Sequence, residues 1–261
     1  MTRGPLEGRG AVVTGGGRGI GAELARSLAA AGAGVVVAAR TGSEVERVAA
    51  ELRVGGAKAW SVRCDVTDEE GVRRLAEESR RSLGRVDILV NNAGASASAP
   101  LKRITLEDWN RMLAMNATST FLCTREFAPA MAERGWGRVV NIASVAGLEG
   151  AKYVAHYSAS KHAVVGFTRS AALEFAGSGV TVNAVCPGYV DSPMTARTLA
   201  NVQSRAGLPP DQALAAVLAT AGQERLVTPG EVAATVLGLC RDDAGEVNGQ
   251  AIVIRGGAPT P

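Results

Sequence analysis

The chain carries a glycine-rich stretch, Thr14-Gly15-Gly16-Gly17-Arg18-Gly19-Ile20-Gly21, between a short apolar run and a segment with helical spacing. Glycines let a backbone turn sharply and approach a ligand closely. A helix that starts at such a turn offers free N–H groups and a partial positive charge to an anion. The strand–turn–helix context predicts a pyrophosphate site of a dinucleotide, although an ordinary tight turn would carry similar glycines. The residues expected there are Gly15, Gly17, Arg18, Gly19, Ile20 and Gly21.

Short apolar runs alternate with helical patterns along the rest of the chain. The predicted strands are Ala11–Thr14, Gly34–Ala39, Ala57–Arg63, Val86–Asn91, Gly137–Ala143, Val180–Val185 and Ala251–Ile254. The predicted helices are Ile20–Ala31, Ser43–Leu52, Glu69–Leu83, Leu106–Glu133, Tyr157–Ala176 and Pro229–Cys240. Continuous apolar runs suit parallel strands that are covered on both faces, and the alternation indicates right-handed βαβ units. We therefore predict an α/β fold: a Rossmann-type, doubly wound parallel sheet of seven strands with helices on both faces, in one domain over residues 1–261.

Composition limits the classes of protein that this chain can be. Of its 261 residues, 46% are hydrophobic, 20% charged and 4% aromatic, which excludes a disordered chain. The net charge is only +3 with both signs interleaved, so we expect no nucleic-acid partner. No apolar run approaches the ~20 residues of a bilayer span, and Met1–Gly10 lacks the apolar centre of a signal peptide, so we expect a cytoplasmic chain with no membrane partner. The four cysteines lie far apart without a C-x-x-C pair, so we expect buried thiols and no metal.

One irregular region interrupts the alternation. Asp191–Leu226 follows the sixth predicted strand, and within it Pro209–Ala221 is rich in alanine and leucine and is predicted to form a short helical pair. Ligands of open α/β sheets bind beyond the carboxyl ends of the strands. The region is therefore expected to be a substrate lid around residues 191–226, with a plain surface excursion as the alternative.

The end of the second strand bears on which dinucleotide is preferred. An acid at this position holds the ribose 2′-hydroxyl of NAD, whereas an arginine accommodates the 2′-phosphate of NADP. The strand ends at Arg40, and no Asp or Glu occurs from Gly32 to Ser43. Arg40 and Arg18 together favour NADPH/NADP+. NADH remains possible, because each arginine could also be a solvated surface charge.

Several motifs together resemble the short-chain dehydrogenase/reductase family, and the resemblance extends from Gly8 to Gly257. The matching residues are the turn above, Cys64-Asp65-Val66, Asn91-Asn92-Ala93-Gly94, Asn116, Ser144, Tyr157-Ser158-Ala159-Ser160-Lys161 and Pro187-Gly188. Among family members, the chain is most similar to 3-oxoacyl (acyl-carrier or CoA) reductases and to ketoreductases of aromatic polyketide pathways. The resemblance implies a homotetramer that associates through Leu106–Glu133 and Tyr157–Ala176.

Tyr157 and Lys161 form the candidate catalytic pair. They are four residues apart on one predicted helix and so lie on the same face. An ammonium beside a phenol, together with the positive nicotinamide ring of the oxidised cofactor, would lower the phenol pKa from its usual value near 10. Tyr157 would then be an acid and base at working pH. Ser144 would hydrogen-bond the substrate oxygen. The resemblance implies that Asn116 anchors a water on a proton path and that Lys161 also binds the nicotinamide ribose.

The remaining cofactor contacts come from the resemblance alone. It implies that Asp65 and Val66 meet the adenine and that Asn91, Ala93 and Gly94 lie on the ribose side. It further implies that Pro187, Gly188 and Val190 meet the nicotinamide amide, with Tyr157 and Lys161 at the ring. His156 and His162 flank the pair but do not share a helix face, which gives no metal site.

These observations predict an NADPH-dependent oxidoreductase that reduces a ketone to a secondary alcohol, with Tyr157 as general acid. The expected substrate is a β-keto thioester or a polyketide-like or cyclic ketone, because the candidate pocket holds few cations, Lys152 being the nearest. Two alternatives remain. One is an NAD-dependent 3-hydroxyacid or hydroxyacyl dehydrogenase that runs toward oxidation. The other is an NADP-binding regulator without activity, which would be expected to lose Tyr157 or Lys161.

Overall fold

The computed structural model describes residues 4–257, so residues 1–3 and 258–261 of the predicted domain lie outside the described chain. Seven strands form one parallel sheet: β1 (Gly10–Thr14), β2 (Gly34–Ala39), β3 (Ala59–Arg63), β4 (Ile88–Asn91), β5 (Gly137–Ile142), β6 (Val180–Pro187) and β7 (Ala251–Ile254). The helices are α1 (Gly19–Ala30), α2 (Gly42–Val54), α3 (Glu69–Leu83), α4 (Leu106–Leu113), α5 (Ser119–Glu133), α6 (Ala155–Glu174), α7 (Pro193–Ala206), α8 (Pro210–Thr220) and α9 (Pro229–Cys240). The predicted α/β fold is confirmed.

The strand order places a crevice at the centre of the sheet. The strands lie in the order β3-β2-β1-β4-β5-β6-β7. Strands β2 and β3 are added on one side of β1 and strands β4 to β7 on the other, so the strand order reverses between β1 and β4. β1 pairs with both β2 and β4, with Val13 opposite Val37 on one side and Val90 on the other. In open α/β sheets the crevice beyond the carboxyl ends of strands at such a reversal is where ligands bind.

Two apolar layers cover the sheet, as expected when parallel strands are buried on both faces. Alternate residues of a strand point to opposite faces. Val13 accordingly packs with Leu24 of α1 and Val48 of α2. Val12 faces the other way and packs with Leu75 of α3 and Phe127 of α5. The side chains named here are buried, so both faces of the sheet are covered beneath the loops at its carboxyl edge.

The long helix predicted over Leu106–Glu133 contains a defect. α4 and α5 are joined by one π-helical turn, Ala114–Thr118, which adds a residue to the helical repeat. Asn116 lies in this turn and is 1% exposed. π-turns inside α-helices are rare and are frequently found at functional sites.

The region after β6 also differs from the prediction. Pro209–Ala221 forms one helix, α8, and the prediction of a helical pair there is wrong. A second helix, α7, precedes it and was not predicted. Its start does have a sequence signal, because Ser192 accepts a hydrogen bond from the Thr195 N–H and Pro193 occupies the first helical position. Within residues 4–257, no helix combines the length and the apolar character needed to cross a membrane.

Candidate active site

A cavity of about 620 Å³ opens at the carboxyl edge of the sheet. Its walls are the loops that follow β1, β2, β3, β4, β5 and β6, together with residues of α7 and the end of α8. All but two of the predicted site residues line it. The two are Asn91 and Asn116, which lie behind its wall.

The glycine turn has backbone angles and close backbone contacts that a residue with a Cβ atom could not adopt without strain. Gly15 and Gly19 have φ angles of +64° and +53°, which only glycine adopts without strain. A Cβ added to Gly21 would lie 2.2 Å from the Gly15 carbonyl oxygen. No side chain caps the first turn of α1, and no acid occurs in it, so its N–H groups are free for an anion. The turn therefore fits the pyrophosphate of a dinucleotide.

A second set of hydrogen bonds joins the loops after β1 and β4. The Thr14 hydroxyl accepts from the N–H groups of Asn92 and Ala93, both at 3.1 Å. The Asn92 side-chain amide donates to the carbonyl oxygens of Thr14 and Gly15 at 2.9 and 3.1 Å. Asn92 lines the cavity, while the neighbouring Asn91 ends β4 and its side chain is bonded in the core to Thr124 and Asn141. The motif predicts that Asn91 lines the cavity, whereas in the structure Asn92 lines it and Asn91 lies behind its wall.

The end of the cavity next to β2 contains both signs of charge. Arg18 and Arg40 line it, as predicted, and so do Asp65 and Glu44. Burial acts to raise the pKa of Asp65, but hydrogen bonds from Thr67 and the charge of Arg40 outweigh it, and the pKa is lowered. Glu44 lies one residue beyond the acid-free stretch Gly32–Ser43 and was not predicted as a site residue.

Ser144, Tyr157 and Lys161 meet at the opposite end of the cavity. Ser144 follows β5 and its hydroxyl accepts a hydrogen bond from the Ala146 N–H at 3.2 Å. α6 places Tyr157 and Lys161 one turn apart, with the Lys161 Nζ 6.0 Å from the centre of the Tyr157 ring. Lys161 is 5% exposed and its ammonium donates to the Ile142 carbonyl oxygen at 2.8 Å. The predicted catalytic pair therefore faces one space from one helix.

Burial controls the pKa values of this pair. It raises the pKa of Tyr157 above 10, and a hydrogen bond with Ser144 offsets part of that change. Burial also lowers the pKa of Lys161 from 10.5 to about 8. In the chain itself the Tyr157 pKa is therefore raised, because loss of hydration outweighs an ammonium several ångströms away. A depressed Tyr157 pKa beside Lys161 and an oxidised nicotinamide ring stays a prediction.

Asn116 acts on the loop after β4. Its side-chain amide donates to the Ala95 carbonyl oxygen at 3.0 Å and to the Ser160 hydroxyl at 2.9 Å, and its Oδ1 accepts from the Ala95 N–H at 2.9 Å. A Cβ added to Gly94 would lie 2.8 Å from that Oδ1 and 3.6 Å from the Lys161 Nζ. The π-turn therefore brings an amide against the loop and α6, and Gly94 leaves the space between them open.

Gln223 fixes the loop after β6 and was not predicted. It is 7% exposed, its Oε1 accepts from the Tyr189 N–H at 2.7 Å, and its Nε2 donates to the carbonyl oxygens of Tyr189 and Arg225, both at 3.2 Å. A Cβ added to Gly188 would lie 2.3 Å from Oε1. Next to it, Val190 and Val227 form a single parallel bridge, so the segment 191–226 leaves and rejoins the core at one point.

Besides Lys161, the cavity wall on the side of Tyr157 and α7 carries Arg197 and Glu149. Lys152, the cation expected from sequence, does not line the cavity. Glu149 forms an ion pair with Arg255, which follows β7. The acid at this end is therefore already neutralised within the chain.

Comparison with known proteins identifies the family. The chain matches the short chain dehydrogenase family over residues 9–203. A 3-oxoacyl-(acyl-carrier-protein) reductase of Aquifex aeolicus (strain VF5) is 36% identical over 253 residues, which cover 97% of this chain and 98% of the relative. The structure of a single-residue variant of actinorhodin polyketide ketoreductase with NADPH superposes with a TM-score of 0.90 at 39% identity, covering 95% of this chain and 96% of the other. A structure from Beutenbergia cavernae, assigned as an NAD(P)-dependent gluconate 5-dehydrogenase with NADP at low occupancy, superposes with a TM-score of 0.85 at 42% identity and covers 97% of both chains. Family match, fold and cavity agree with the resemblance found in the sequence: the chain belongs to the short-chain dehydrogenase/reductase family and is an NAD(P)-dependent oxidoreductase.

Proposed function

We propose that the chain reduces a ketone to a secondary alcohol with NADPH, and that the ketone is a β-keto thioester or a polyketide-like or cyclic ketone. The observation that carries the proposal is the convergence of Ser144, Tyr157 and Lys161 on the cavity that also contains the glycine turn. NADPH, when bound, supplies a hydride for the carbonyl carbon. The chain must then bind the ketone, exclude water and deliver one proton to the carbonyl oxygen.

Tyr157 is the proton donor of this proposal. A pKa raised by burial keeps its phenol protonated near neutral pH, which is the state that a general acid needs for reduction. The Ser144 hydroxyl accepts from the Ala146 N–H, and its own O–H, which bonds with Tyr157 in the structure, would turn to the substrate oxygen when a ketone binds. Lys161, with a pKa of about 8, is mostly an ammonium at neutral pH and stabilises the phenolate that remains after proton transfer.

The neighbours of Lys161 support its role. Asn116 is bonded to Ala95 and Ser160, and we assign to it the positioning of the loop and helix around the ammonium. The same amide would hold a water between Lys161 and solvent. Lys161 and Tyr157 also face the place where a nicotinamide ribose would lie.

Residues along the cavity would hold the cofactor. The N–H groups of the glycine turn and of α1 suit the pyrophosphate, Asp65 and Val66 the adenine, and Ala93 and Gly94 the ribose. Pro187, Gly188 and Val190 would meet the nicotinamide. Arg18 and Arg40 support NADPH over NADH, and the similar ketoreductase was solved with NADPH.

A lid over residues 191–226 completes the site in this proposal. The segment begins and ends beside the bridge between Val190 and Val227. A Cβ added to Gly19 would lie 3.5 Å from Pro193 Cδ, so the start of α7 rests on the phosphate turn. We infer that α7 and α8 close over cofactor and ketone and keep water out.

Turnover with defined ketones tests the function. The purified chain is mixed with NADPH and, separately, a β-keto thioester, a cyclic ketone and a free β-keto acid, and the loss of NADPH absorbance is followed. We expect turnover of the thioester or the cyclic ketone and less with the free acid. Absence of turnover with every ketone and both dinucleotides would refute the proposal.

The variant Arg40→Asp tests the cofactor preference. It should weaken the binding of NADPH more than the binding of NADH. An unchanged ratio of the two affinities would show that Arg40 does not bind the 2′-phosphate.

We also propose a homotetramer, in line with the sequence expectation. Helices α4, α5 and α6 expose large apolar side chains, among them Leu106, Phe121 and Leu173. Burial of these side chains between copies of the chain would favour association through the helices that the resemblance implies. Light scattering on the purified chain should give the mass of four copies, and a monomer would contradict this assembly.

A further inference from the structure

The predicted 2′-phosphate site contains an acid that faces one of its arginines. Glu44 and Arg18 both line the cavity, and Oε1 of Glu44 lies 3.3 Å from Nη1 of Arg18. The other arginine, Arg40, is close enough to Asp65 to lower the pKa of that carboxyl. Arg18 is therefore already in contact with an acid, and Arg40 has one in its vicinity.

The position of Glu44 is set by the fold. Glu44 lies in the first turn of α2, where an acid is favoured by the helix dipole. A Cβ added to Gly17 would lie 2.8 Å from the Cβ of Glu44, so this turn of α2 packs directly on the phosphate loop. One turn later, Arg47 donates to the Gly17 carbonyl oxygen at 3.1 Å. The carboxylate is thus held beside the loop, although its side chain remains 32% exposed.

This arrangement affects the two dinucleotides differently. A 2′-phosphate is an anion that must compete with Glu44 for Arg18 and is repelled by the carboxylate. A 2′-hydroxyl is a neutral donor, and a carboxylate can accept its hydrogen bond. We propose that Glu44 is a specificity residue that reduces the preference for NADPH over NADH, so that the site accepts both cofactors. This inference rests on the proposed use of a dinucleotide.

Binding measurements on the whole chain test the proposal without turnover. The dissociation constants of NADPH and NADH are measured by nucleotide fluorescence for the native chain and for Glu44→Gln. The control is Glu46→Gln on the same helix, which removes the same charge. Glu46 pairs with Arg53 and Ser61 and is not part of the cavity wall.

We expect Glu44→Gln to lower the NADPH dissociation constant about fivefold and to leave the NADH dissociation constant unchanged or higher. Glu46→Gln should change neither. In a chain that also carries Arg18→Ala, Glu44→Gln should lower the NADPH dissociation constant less than it does in the native chain, because part of its effect acts through Arg18. An unchanged NADPH affinity, equal tightening of both dinucleotides, or the same effect from Glu46→Gln would overturn the role of Glu44.

These outcomes are separate from failure of the proposed function. If the native chain binds neither dinucleotide, the proposed reductase is refuted before any variant is compared. If it binds and oxidises NADPH but Glu44→Gln leaves the ratio of the two dissociation constants unaltered, only the inference about Glu44 falls. Melting by circular dichroism confirms that each variant is folded, and exposed Glu-to-Gln changes of this kind cost little stability.

Discussion

The ammonium of Lys161 donates a hydrogen bond of 2.8 Å to the carbonyl oxygen of Ile142, at the end of β5, and both groups are buried. No acid is among the groups that shift the pKa of this lysine. A buried cation with one neutral acceptor is poorly compensated for its lost hydration, and its pKa falls from 10.5 to about 8. The cofactor-free site thus holds a charge at the expense of stability.

The first prediction is that Lys161→Met stabilises the cofactor-free chain at pH 7. The folded pKa lies below the unfolded value, so the unfolded chain binds more protons between about pH 8 and 10.5 and this lysine makes stability rise with pH there. The full penalty, about 3 kcal/mol, applies below that window. Loss of the hydrogen bond to the Ile142 carbonyl oxygen destabilises the variant by about 1–2 kcal/mol. The net increase in the free energy of unfolding is therefore about 1–2 kcal/mol.

Urea unfolding of both proteins across about pH 7 to 10 measures this effect. The difference between Lys161→Met and the native chain should be largest at pH 7 and should shrink as pH rises. Subtraction removes the titration of other buried groups, which both proteins share. Lys58→Met, at an exposed lysine, is the control and should show no pH-dependent difference. A Lys161→Met variant that is less stable at pH 7, with a gap independent of pH, would show that the ammonium is well solvated.

The second prediction concerns Tyr157→Phe, which removes one hydroxyl. We expect kcat to fall by about a thousandfold, in the range for loss of a general acid, with the NADPH dissociation constant within about twofold. Tyr189→Phe is the matched control, because Tyr189 also lines the cavity but is anchored through its backbone by Gln223. Full activity in Tyr157→Phe, or an equal loss in Tyr189→Phe, would exclude Tyr157 as the proton donor.

Sequence alone predicted the sheet well because its signals are local. β2 is an uninterrupted apolar run between turn residues and was predicted at its observed bounds. The π-turn around Asn116 was not predictable, because its buried amide is bonded to Ala95 and Ser160, 21 and 44 residues away. The start of α7 does carry local signals, a cap at Ser192 and a proline at the first helical position, although α7 was not among the predicted helices.

The candidate site was predicted in composition but not in electrostatics. Motif spacing brought Ser144, Tyr157 and Lys161 together, and the structure places them on one cavity. The direction of the Tyr157 pKa depends on burial, which spacing does not contain. Glu44 and Gln223 were not predicted, because their importance arises from contacts between residues distant in the chain. Glu44 contacts Arg18, and Gln223 contacts Tyr189.

The third prediction is that Gly94→Ala disrupts the site. Its new Cβ would lie 2.8 Å from Oδ1 of Asn116, so Asn116 or its bonded partner Ala95 must move. Overpacking of this kind costs about 1–3 kcal/mol, and kcat should fall at least about tenfold. Gly238→Ala is the control: Gly238 lies in α9 with open space around it, and alanine there should stabilise the chain by up to about 1 kcal/mol. Full activity and unchanged melting in Gly94→Ala would show that the loop has room to adapt.

The fourth prediction separates positioning by Gln223 from catalysis. Gln223→Ala leaves the Tyr189 N–H without its acceptor and removes one of the two donors to the Tyr189 carbonyl oxygen, the other being the Val227 N–H. It thereby loosens the loop at the base of the segment 191–226. The expected result is a rise of about fivefold or more in KM for the ketone and in the NADPH dissociation constant, with a smaller change in kcat, because Tyr157 and Lys161 are held by α6 rather than by this loop. Gln223→Glu keeps an acceptor for the Tyr189 N–H and should recover part of the affinity, while Gln250→Ala, at an exposed glutamine, should leave both constants unchanged. If kcat falls while KM and the dissociation constant stay at native values, Gln223 acts on the reacting groups themselves and its assignment as a positioning residue is wrong.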